Sequence, residues 1–531
     1  MKANPPSEHQ ALRQGRRARW RAGAAALLMT LTSAMAPAQP QAPGLPMLGD
    51  GLALTVSSER RLGDRIASSI YRDPAWLDDA ILGDYLQAIW QPLVRAAQAK
   101  GELTPELQER FAWQLFLVRD RSVNAFALPG GYLGVHTGLI AAVSSPDELA
   151  AVLGHELSHV TQRHIARTIG QQQAQMPWLL AAMVLGVMAA GRSGDAAGAA
   201  IVGGQAAAAQ GQLNFSRDME READRVGFGI LIEAGFSPNG ASAMFEKLQQ
   251  ANRFNDNGAF PYLRSHPLTT ERIADARARQ QGLDPQLNRN ARVSTLPSLA
   301  WHAMMGGRAR ILSDTSPDAL QARLQQARQI GPDASREQRL SVYYAAALAA
   351  ARLREATLAR QMLEQVMRLS AGQPQIGLVA QWLAIEVDDL LGDTAGAAAR
   401  VSWSTSPSRG ELMTQAAVLV RAGRAAEVSE RLRSWVTLHP RDGSAWAVLA
   451  QALYQQGQVL QAIRAEAEGR AAEFDYQGAV DRLKSAQDLL RSGRTGAQES
   501  NLHIEASIID TRSRQLQVLL REQMLQERSG R

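Results

Sequence analysis

The spacing of apolar residues changes along the chain and divides it into regions of different predicted structure. An apolar run at 22–35 and a Pro- and Gly-rich stretch at 39–57 precede helical periodicity at 59–99 and 105–116. A strand-like section follows at 124–137, and Pro129-Gly130-Gly131 interrupts it as a hairpin turn would. Helical patterning then continues to the C-terminus. The pattern therefore predicts an α+β fold that is mainly α-helical.

One helix of the central region has a clear predicted start. Ser145 supplies an N-cap, Pro146 occupies the first helical position and Glu148 stands at the capping-box position. Apolar residues then recur at helical spacing from Leu149 to Val160. The sequence predicts a helix here with one buried face.

That helix carries the sequence His155-Glu156-Leu157-Ser158-His159, which is an HExxH motif. The four-residue spacing puts the two imidazoles on one helix face, where both can bind a single Zn²⁺. Glu156 is then placed to act as the general base of a hydrolytic reaction. The alternative is a pair of core histidines on an ordinary helix.

A hydrolytic zinc site needs a third protein ligand, and a second predicted helix offers one. Ser216 can cap a helix over 217–234 that stops at Gly235. On one face of it stand Glu220, the candidate third ligand, and Asp224, which can accept a hydrogen bond from a ligand histidine and fix its tautomer. Acidic residues at this spacing alone are also typical of a solvated helix face.

With Asn124–Gly131 upstream and Ser265-His266-Pro267 downstream, these motifs resemble the zinc metallopeptidases related to HtpX and the CAAX prenyl endopeptidase, over about residues 60–279. The resemblance implies a zincin-like metalloprotease domain with one Zn²⁺ per chain. It further implies an endopeptidase of the cell envelope that acts on unfolded or misassembled outer-membrane proteins. It also assigns substrate binding by strand addition to Asn124, Ala125, Phe126, Ala127 and Leu128. A purely structural hairpin would have the same sequence.

His266 has two possible roles in such a site. As a fourth metal ligand it would close the site and hold the enzyme latent, and as a hydrogen-bond donor it would stabilise the oxyanion of the tetrahedral intermediate. A structural loop histidine is the alternative to both roles. The histidines at 9, 136, 164, 302, 439 and 503 lack partners at ligand spacing and are given no role.

Charge and composition bear on location and partners. The first 38 residues carry a net charge of +5 and the remainder +1, so nucleic acid is an unexpected partner. Those basic residues precede the apolar run and Ala36-Pro37-Ala38, which predicts a signal peptide cut after Ala38 and a periplasmic location. An uncleaved anchor is the competing interpretation. The chain has no cysteine, which excludes disulfides and thiol catalysis.

The segment 171–214 lies between the two helices that are predicted to carry the zinc ligands. It includes an apolar run at 177–190, which is too short to span a bilayer. We expect a helix and a mobile loop near the catalytic cleft, with a role as a lid or in peripheral membrane contact. A buried helix with a connector is the alternative.

The C-terminal part shows a repeat period typical of tetratricopeptide (TPR) arrays. Gly423 and Gly457 stand 34 residues apart at matching turns, Gly392 precedes Gly423 by 31, and Pro440 closes one unit. About four units fit between 352 and 494. A TPR-like α-solenoid presents a concave surface, so we expect it to bind substrates or the outer-membrane β-barrel assembly machinery. The alternative is a spacer.

The predicted order of domains is a signal peptide (1–38), a leader (39–58), a zinc metallopeptidase domain (59–285), a helical connector (286–340), TPR-like repeats (341–494) and a C-terminal helical tail (495–531). Two functions fit this order. The first is an exported zinc endopeptidase. The second is a chaperone or assembly scaffold with a latent or structural zinc site.

Overall fold

A small sheet and two crossing helices form the centre of the region that carries the HExxH motif. The computed structural model describes residues 54–171, 216–253, 260–282, 296–492 and 499–529. The predicted signal peptide, the leader up to residue 53 and most of the segment 171–214 lie outside these residues. The elements of this region are α1 (Val56–Arg72), β1 (Trp76–Leu77), α2 (Ala80–Ala99), α3 (Pro105–Arg110), β2 (Gln114–Val118), β3 (Ala125–Leu128), β4 (Tyr132–His136), α4 (Thr137–Ala142), α5 (Pro146–Thr161), α6 (His164–Gln171), α7 (Arg217–Glu233), α8 (Asn239–Arg253), α9 (Tyr262–Ser265) and α10 (Thr270–Gln281).

The four strands have the order β1-β2-β4-β3. β2 and β4 are parallel, and the other two pairs are antiparallel. β3 and β4 form the predicted hairpin, with Gly130 and Gly131 at φ +74° and +85° in its turn. In β4, Gly134 leaves room for the ring of Phe126, which a Cβ at this position would meet at 2.1 Å. The hairpin therefore places β3 at the edge of the sheet.

The prediction of a helix over 105–116 is partly wrong. The helix ends at Arg110, and residues Gln114–Val118 form β2. Trp113 has φ +51°, a backbone conformation that a helix cannot accommodate. The run Leu115-Phe116-Leu117-Val118 is typical of a buried strand as much as of a helix, and tertiary pairing with β4 decides between them.

The serines predicted to cap α5 and α7, the helices with the candidate metal ligands, do form their N-terminal caps. The Ser145 hydroxyl accepts a hydrogen bond from the Glu148 amide, and Ser216 caps α7 through the Met219 amide. The Glu148 carboxylate accepts from the amide of Ser144 and pairs with Lys247, so it does not return to the Ser145 amide as a reciprocal capping box would.

The second part of the chain consists of antiparallel helices that follow one another along an array. Gly392, Gly423 and Gly457 each have φ between +71° and +88° at helix-to-helix turns, as their spacing predicted. This arrangement agrees with the predicted α-solenoid. Its elements are α11 (Leu299–Ser313), α12 (Pro317–Gln329), α13 (Arg336–Arg352), α14 (Ala356–Ser370), α15 (Pro374–Leu390), α16 (Thr394–Ala399), α17 (Arg409–Arg421), a 3₁₀ turn (Ala425–Glu427), α18 (Ser429–Leu438), α19 (Gly443–Gln455), α20 (Val459–Ala472), α21 (Tyr476–Arg491) and α22 (Glu499–Ser529).

The array packs directly against the first region. One hydrophobic core runs without interruption from Ile81 in α2 to Val387 in α15. Within it the buried guanidinium of Arg308 pairs with Asp79 at 2.6 Å and with Glu386 at 2.5 Å. Further along, Arg409 pairs with Asp78 of the first region at 2.8 Å. Of the helices that the structure describes, none has the length and apolar character needed to cross a membrane.

Candidate metal centre

Four buried side chains from three places in the chain converge on one another. His155 and His159 come from α5, Glu220 from α7, and His266 from the residue that follows α9. One ligand atom of each lies within 4.8 Å of the others, and all four residues are buried. The structure thus brings together all four predicted metal ligands.

The distances within this cluster have the size expected of a tetrahedral metal site. His155 Nε2 lies 3.0 Å from His159 Nε2 and 3.3 Å from His266 Nδ1. Glu220 Oε1 lies 3.0 Å from His266 Nδ1 and 3.5 Å from His159 Nε2. Ligands about 2.0–2.1 Å from a central ion stand about 3.3 Å apart in a tetrahedron. Three imidazole nitrogens and one carboxylate oxygen at this spacing form a donor set that fits one cation.

Asp224 occupies the predicted position behind His155. Its Oδ1 lies 2.9 Å from His155 Nδ1, which leaves Nε2 directed at the cluster. Arg272 from α10 binds both oxygens of Asp224 at 2.7 and 2.8 Å and also reaches Glu220 Oε2 at 2.8 Å. Burial raises the pKa of Asp224, but the hydrogen bonds from Arg272 and His155 outweigh burial and hold that pKa below its usual value. Asp224 is therefore an anionic acceptor that orients His155.

His164 contacts the candidate site, although no spacing in the sequence pointed to it. Its Nδ1 lies 2.9 Å from His159 Nδ1, and its Nε2 lies 3.0 Å from Glu222 Oε2. The helix breaks between the two histidines because Arg163 has φ +53° and α6 begins at His164. A spacing of five residues does not place two side chains on one helix face, so periodicity could not find this contact.

Glu156 lies next to the ligand cluster and is completely buried. Its Oε2 accepts a hydrogen bond of 2.9 Å from the Ala127 amide, and its Oε1 lies 3.4 Å from His266 Nε2. Burial raises the pKa of Glu156, and the neighbouring His266 and His155 lower it, with a net shift above the usual value. A buried carboxylate of raised pKa is suited to general-base work near neutral pH.

The predicted substrate strand lies directly beside Glu156. Residues Ala125–Leu128 form β3, and Asn124 precedes it as a buried residue. The Ala127 amide points to Glu156, away from β4, so it belongs to the free edge of the sheet. Of the five predicted residues, Ala127 makes a direct hydrogen bond to Glu156.

The family comparison agrees with this geometry. Residues 83–280, which include all four candidate ligands, match the model of peptidase family M48. The chain carries a peptidase family M48 domain. The resemblance to zinc metallopeptidases is thereby confirmed at the level of the family, and so is the prediction of a metalloendopeptidase.

The M48 domain and the array together have full-length relatives. The chain is 28% identical over 480 residues to the beta-barrel assembly-enhancing protease of Escherichia coli, covering 88% of this chain and 93% of that protein. A Vibrio cholerae protein, provisionally given the same name, is 35% identical over 271 residues, about half of each chain. The mitochondrial metalloendopeptidase OMA1 of Schizosaccharomyces pombe is 33% identical over 161 residues, 30% of this chain and 44% of that protein.

Proposed function

We propose that this chain is an exported zinc endopeptidase that hydrolyses misfolded or stalled outer-membrane proteins. The observation that carries the proposal is the contact of three features at one point. The four-ligand cluster, the buried carboxylate of Glu156 and the free edge of β3 meet at the Ala127 amide. A metal, a base and a backbone-binding strand are the parts that peptide hydrolysis requires.

Zinc is the ion that best suits the cluster, with one ion per chain. Three imidazoles and one carboxylate form a donor set of intermediate softness, and zinc accepts it in tetrahedral geometry. Zinc in such a site supplies a Lewis acid that lowers the pKa of water and polarises a carbonyl oxygen. His155, His159 and Glu220 are proposed as permanent ligands, because α5 and α7 hold them from within the buried core.

The residues around the cluster account for the proton transfers. Glu156 takes the proton from the attacking water and then delivers it to the leaving amine. The Ala127 amide holds Oε2 of Glu156, which leaves Oε1 on the side of the cluster. An extended substrate that adds to β3 places its scissile carbonyl beside Glu156, because Ala127 lies on the edge to which the substrate would bind.

We propose that His266 closes the site in this conformation. Its ring lies between Glu156 and the other ligands, with Nε2 3.4 Å from Glu156 Oε1 and Nδ1 3.0 Å from Glu220 Oε1. The ring thus fills the space that an attacking water needs. It also stacks on Tyr262 with 4.6 Å between ring centroids. A donor role toward the oxyanion requires the His266 ring to move out of this position first.

The setting in the cell is proposed from the sequence and the relatives. The predicted signal peptide supports a periplasmic location. The names of the Escherichia coli and Vibrio cholerae relatives refer to β-barrel assembly, which supports outer-membrane proteins as substrates. The helical array is proposed as a TPR-like domain that binds substrates or the assembly machinery. The second candidate, a scaffold with a latent zinc site, is favoured by the closed four-ligand arrangement.

The test measures zinc content and the cleavage of casein and of an unfolded β-barrel protein. The mature chain is compared with Glu156→Gln and His266→Ala, and with Glu246→Gln as a control at an exposed glutamate. We expect all four proteins to bind one zinc. Cleavage should increase in His266→Ala, disappear in Glu156→Gln and remain unchanged in the control. If zinc binds but cleavage does not depend on Glu156, whether or not His266 is present, the protease proposal is contradicted and the scaffold is supported.

A further inference from the structure

Arg163 occupies a backbone position that glycine usually fills. It follows Gln162, the C-cap of α5, and has φ +53°. Many helices end with a left-handed residue at this position, and glycine is favoured there because a side chain disfavours that conformation. Gly101 and Gly235 occupy the equivalent positions after α2 and α7, at φ +72° and +84°. An arginine in the turn after α5 therefore requires contacts that hold it in the left-handed conformation.

Two groups at the start of α1 hold the Arg163 side chain. Its Nε donates a hydrogen bond of 2.9 Å to Glu59 Oε2, and its Nη2 donates to the Leu54 carbonyl oxygen. Glu59 lies in the first turn of α1 and is 2% exposed. Because Glu59 is buried, solvent screens its pairing with Arg163 less than it screens a surface ion pair. This pair therefore supplies a contact of the kind that the turn requires.

Glu59 is itself held by the hairpin turn between β3 and β4. Its carboxylate accepts a hydrogen bond from the Gly130 amide. The hairpin turn packs closely on α1, since a Cβ on Gly130 would lie 2.9 Å from Arg60 Cα and 3.2 Å from the Glu59 carbonyl oxygen. These backbone contacts fix the distance between the hairpin turn and α1. The Glu59 carboxylate therefore has a fixed position from which it binds Arg163.

The turn at Arg163 directs His164 to the candidate metal centre. α6 begins at His164, and His164 Nδ1 lies 2.9 Å from Nδ1 of the candidate ligand His159. Each residue of a regular helix advances by about 100°, so an uninterrupted α5 would place His164 about 140° around the axis from His159. The left-handed turn is what makes the contact between the two imidazoles possible.

We propose that Glu59 is a positioning residue of the candidate metal centre. It acts through Arg163, whose left-handed turn it stabilises, and then through His164, which orients His159. The inference rests on the proposed function, because it requires that His159 binds zinc. Its readout is the zinc affinity of the chain, which can be measured without any cleavage assay.

The first test compares two double variants that both lack the ion pair. Glu59→Gln with Arg163→Ala keeps a Cβ in the turn, and Glu59→Gln with Arg163→Gly removes it, so the two chains differ by one methyl group. Zinc affinity is measured by competition with a chromophoric chelator. The alanine chain should bind zinc about tenfold more weakly than the parent chain, as expected when an orienting partner is displaced. The glycine chain should stay within about twofold of the parent, because glycine adopts the turn without help. Equal affinities of the two double variants overturn the proposal.

The second test asks whether Glu59 acts through His164. Glu59→Gln keeps the size of the side chain but removes its charge and one acceptor oxygen, and should lower zinc affinity about threefold or more. In a chain that already carries His164→Phe, the same change should alter zinc affinity by less than about twofold, because the contact that transmits it is absent. An equal loss in both backgrounds overturns the proposal.

Glu411→Gln is the matched control, because Glu411 in α17 is 1% exposed and belongs to the helical array. It should leave zinc affinity unchanged. A loss equal to that of Glu59→Gln would show that reduced folding stability is the cause and would overturn the positioning role. A parent chain that binds no zinc would overturn the proposed zinc site together with this inference, whereas zinc affinity that Glu59→Gln leaves unchanged overturns the inference alone.

Discussion

At the scale of single residues, the proton positions of His159 and His164 follow from their contacts. A ligand histidine uses an unprotonated nitrogen, and His159 presents Nε2 to the cluster, so its proton is on Nδ1. His159 Nδ1 then donates to His164 Nδ1, and His164 donates from Nε2 to Glu222. Burial lowers the pKa of His164, with the hydrogen bond to Glu222 opposing it, and the net downward shift agrees with a neutral ring. His164 therefore orients His159 as Asp224 orients His155.

The hydrogen bonds from His159 to His164 and from His164 to Glu222 predict the effect of removing the His164 nitrogens. His164→Phe keeps a ring in the space but leaves His159 without its acceptor, and metal affinity should fall by about 10- to 100-fold. The measurement is a competition titration of zinc with a chromophoric chelator. His439→Phe, at an exposed histidine on the array, is the control and should keep the native affinity. Unchanged zinc affinity in His164→Phe would mean that the contact is only structural.

Asp224 and His164 both orient a histidine of the cluster, but only the role of Asp224 can be predicted from the sequence. Asp224 is predictable because it stands four residues after Glu220 on one uninterrupted helix. The contact of His164 depends on the left-handed backbone of Arg163, which no periodicity reports. The position of His266 depends on the short helix α9 and the turn after it, so the sequence could suggest its place in the site but could not choose its role.

At the scale of elements, the crossing of α5 and α7 sets the distance between His155 and His159, the proposed ligands on α5, and Glu220, the proposed ligand on α7. The helices meet at Gly154, one residue before His155, and at Gly227, about two turns after Glu220. A Cβ on Gly227 would lie 2.9 Å from the Gly154 carbonyl oxygen and 3.0 Å from the His155 nitrogen. These are backbone atoms that cannot rotate away. Close approach of the helices therefore requires glycine at position 227.

Gly227→Ala should force the two helices apart and displace Glu220 and Asp224 from His155. Overpacking of this kind costs about 1–3 kcal/mol of folding free energy, and the displaced ligands should lower metal affinity as well. Chemical denaturation and zinc titration measure the two effects. Gly83→Ala in α2 is the matched control, because a Cβ there meets nothing within 4 Å. The control should be neutral or stabilising by about 0.5–1 kcal/mol, as alanine is in a helix. Native affinity in Gly227→Ala would contradict this role of the crossing.

At the scale of the whole molecule, the array is continuous with the M48 domain. α13 (Arg336–Arg352) contains position 340, where the sequence predicts the end of the connector, and the shared core continues through it. Local turn signals predict the helices of the array, but they say nothing of which helices share a core. Contacts such as that of Arg308 with Asp79 join residues 229 positions apart, and only the folded chain brings them together.

Asp84 makes the packing of the M48 domain against the helical array depend on pH. It lies on α2 and accepts a hydrogen bond of 2.8 Å from the Gly410 amide at the start of α17. Burial raises the pKa of Asp84 to about 6, although hydrogen bonds from Ser408 and Gly410 oppose the shift. The folded chain thus holds this proton more tightly than the unfolded chain, whose Asp has a pKa near 4. The protonated Asp84 carboxyl therefore contributes to the free energy of unfolding below about pH 4, and this contribution is lost as the pH rises through about 6.

Asp84→Asn removes this loss, because the amide stays neutral and its oxygen can still accept from Gly410. The variant should be more stable than the parent chain by about 1–2 kcal/mol at pH 8, a value reduced for the partial exposure of the side chain. At pH 4 the difference should disappear, because the parent carboxyl is then protonated as well. Urea denaturation at the two pH values measures this. Asp78→Asn is the control, since Asp78 pairs with Arg409 and gains nothing from neutralisation. An equal effect of Asp84→Asn at both pH values would show that the carboxylate is not destabilising in the folded chain.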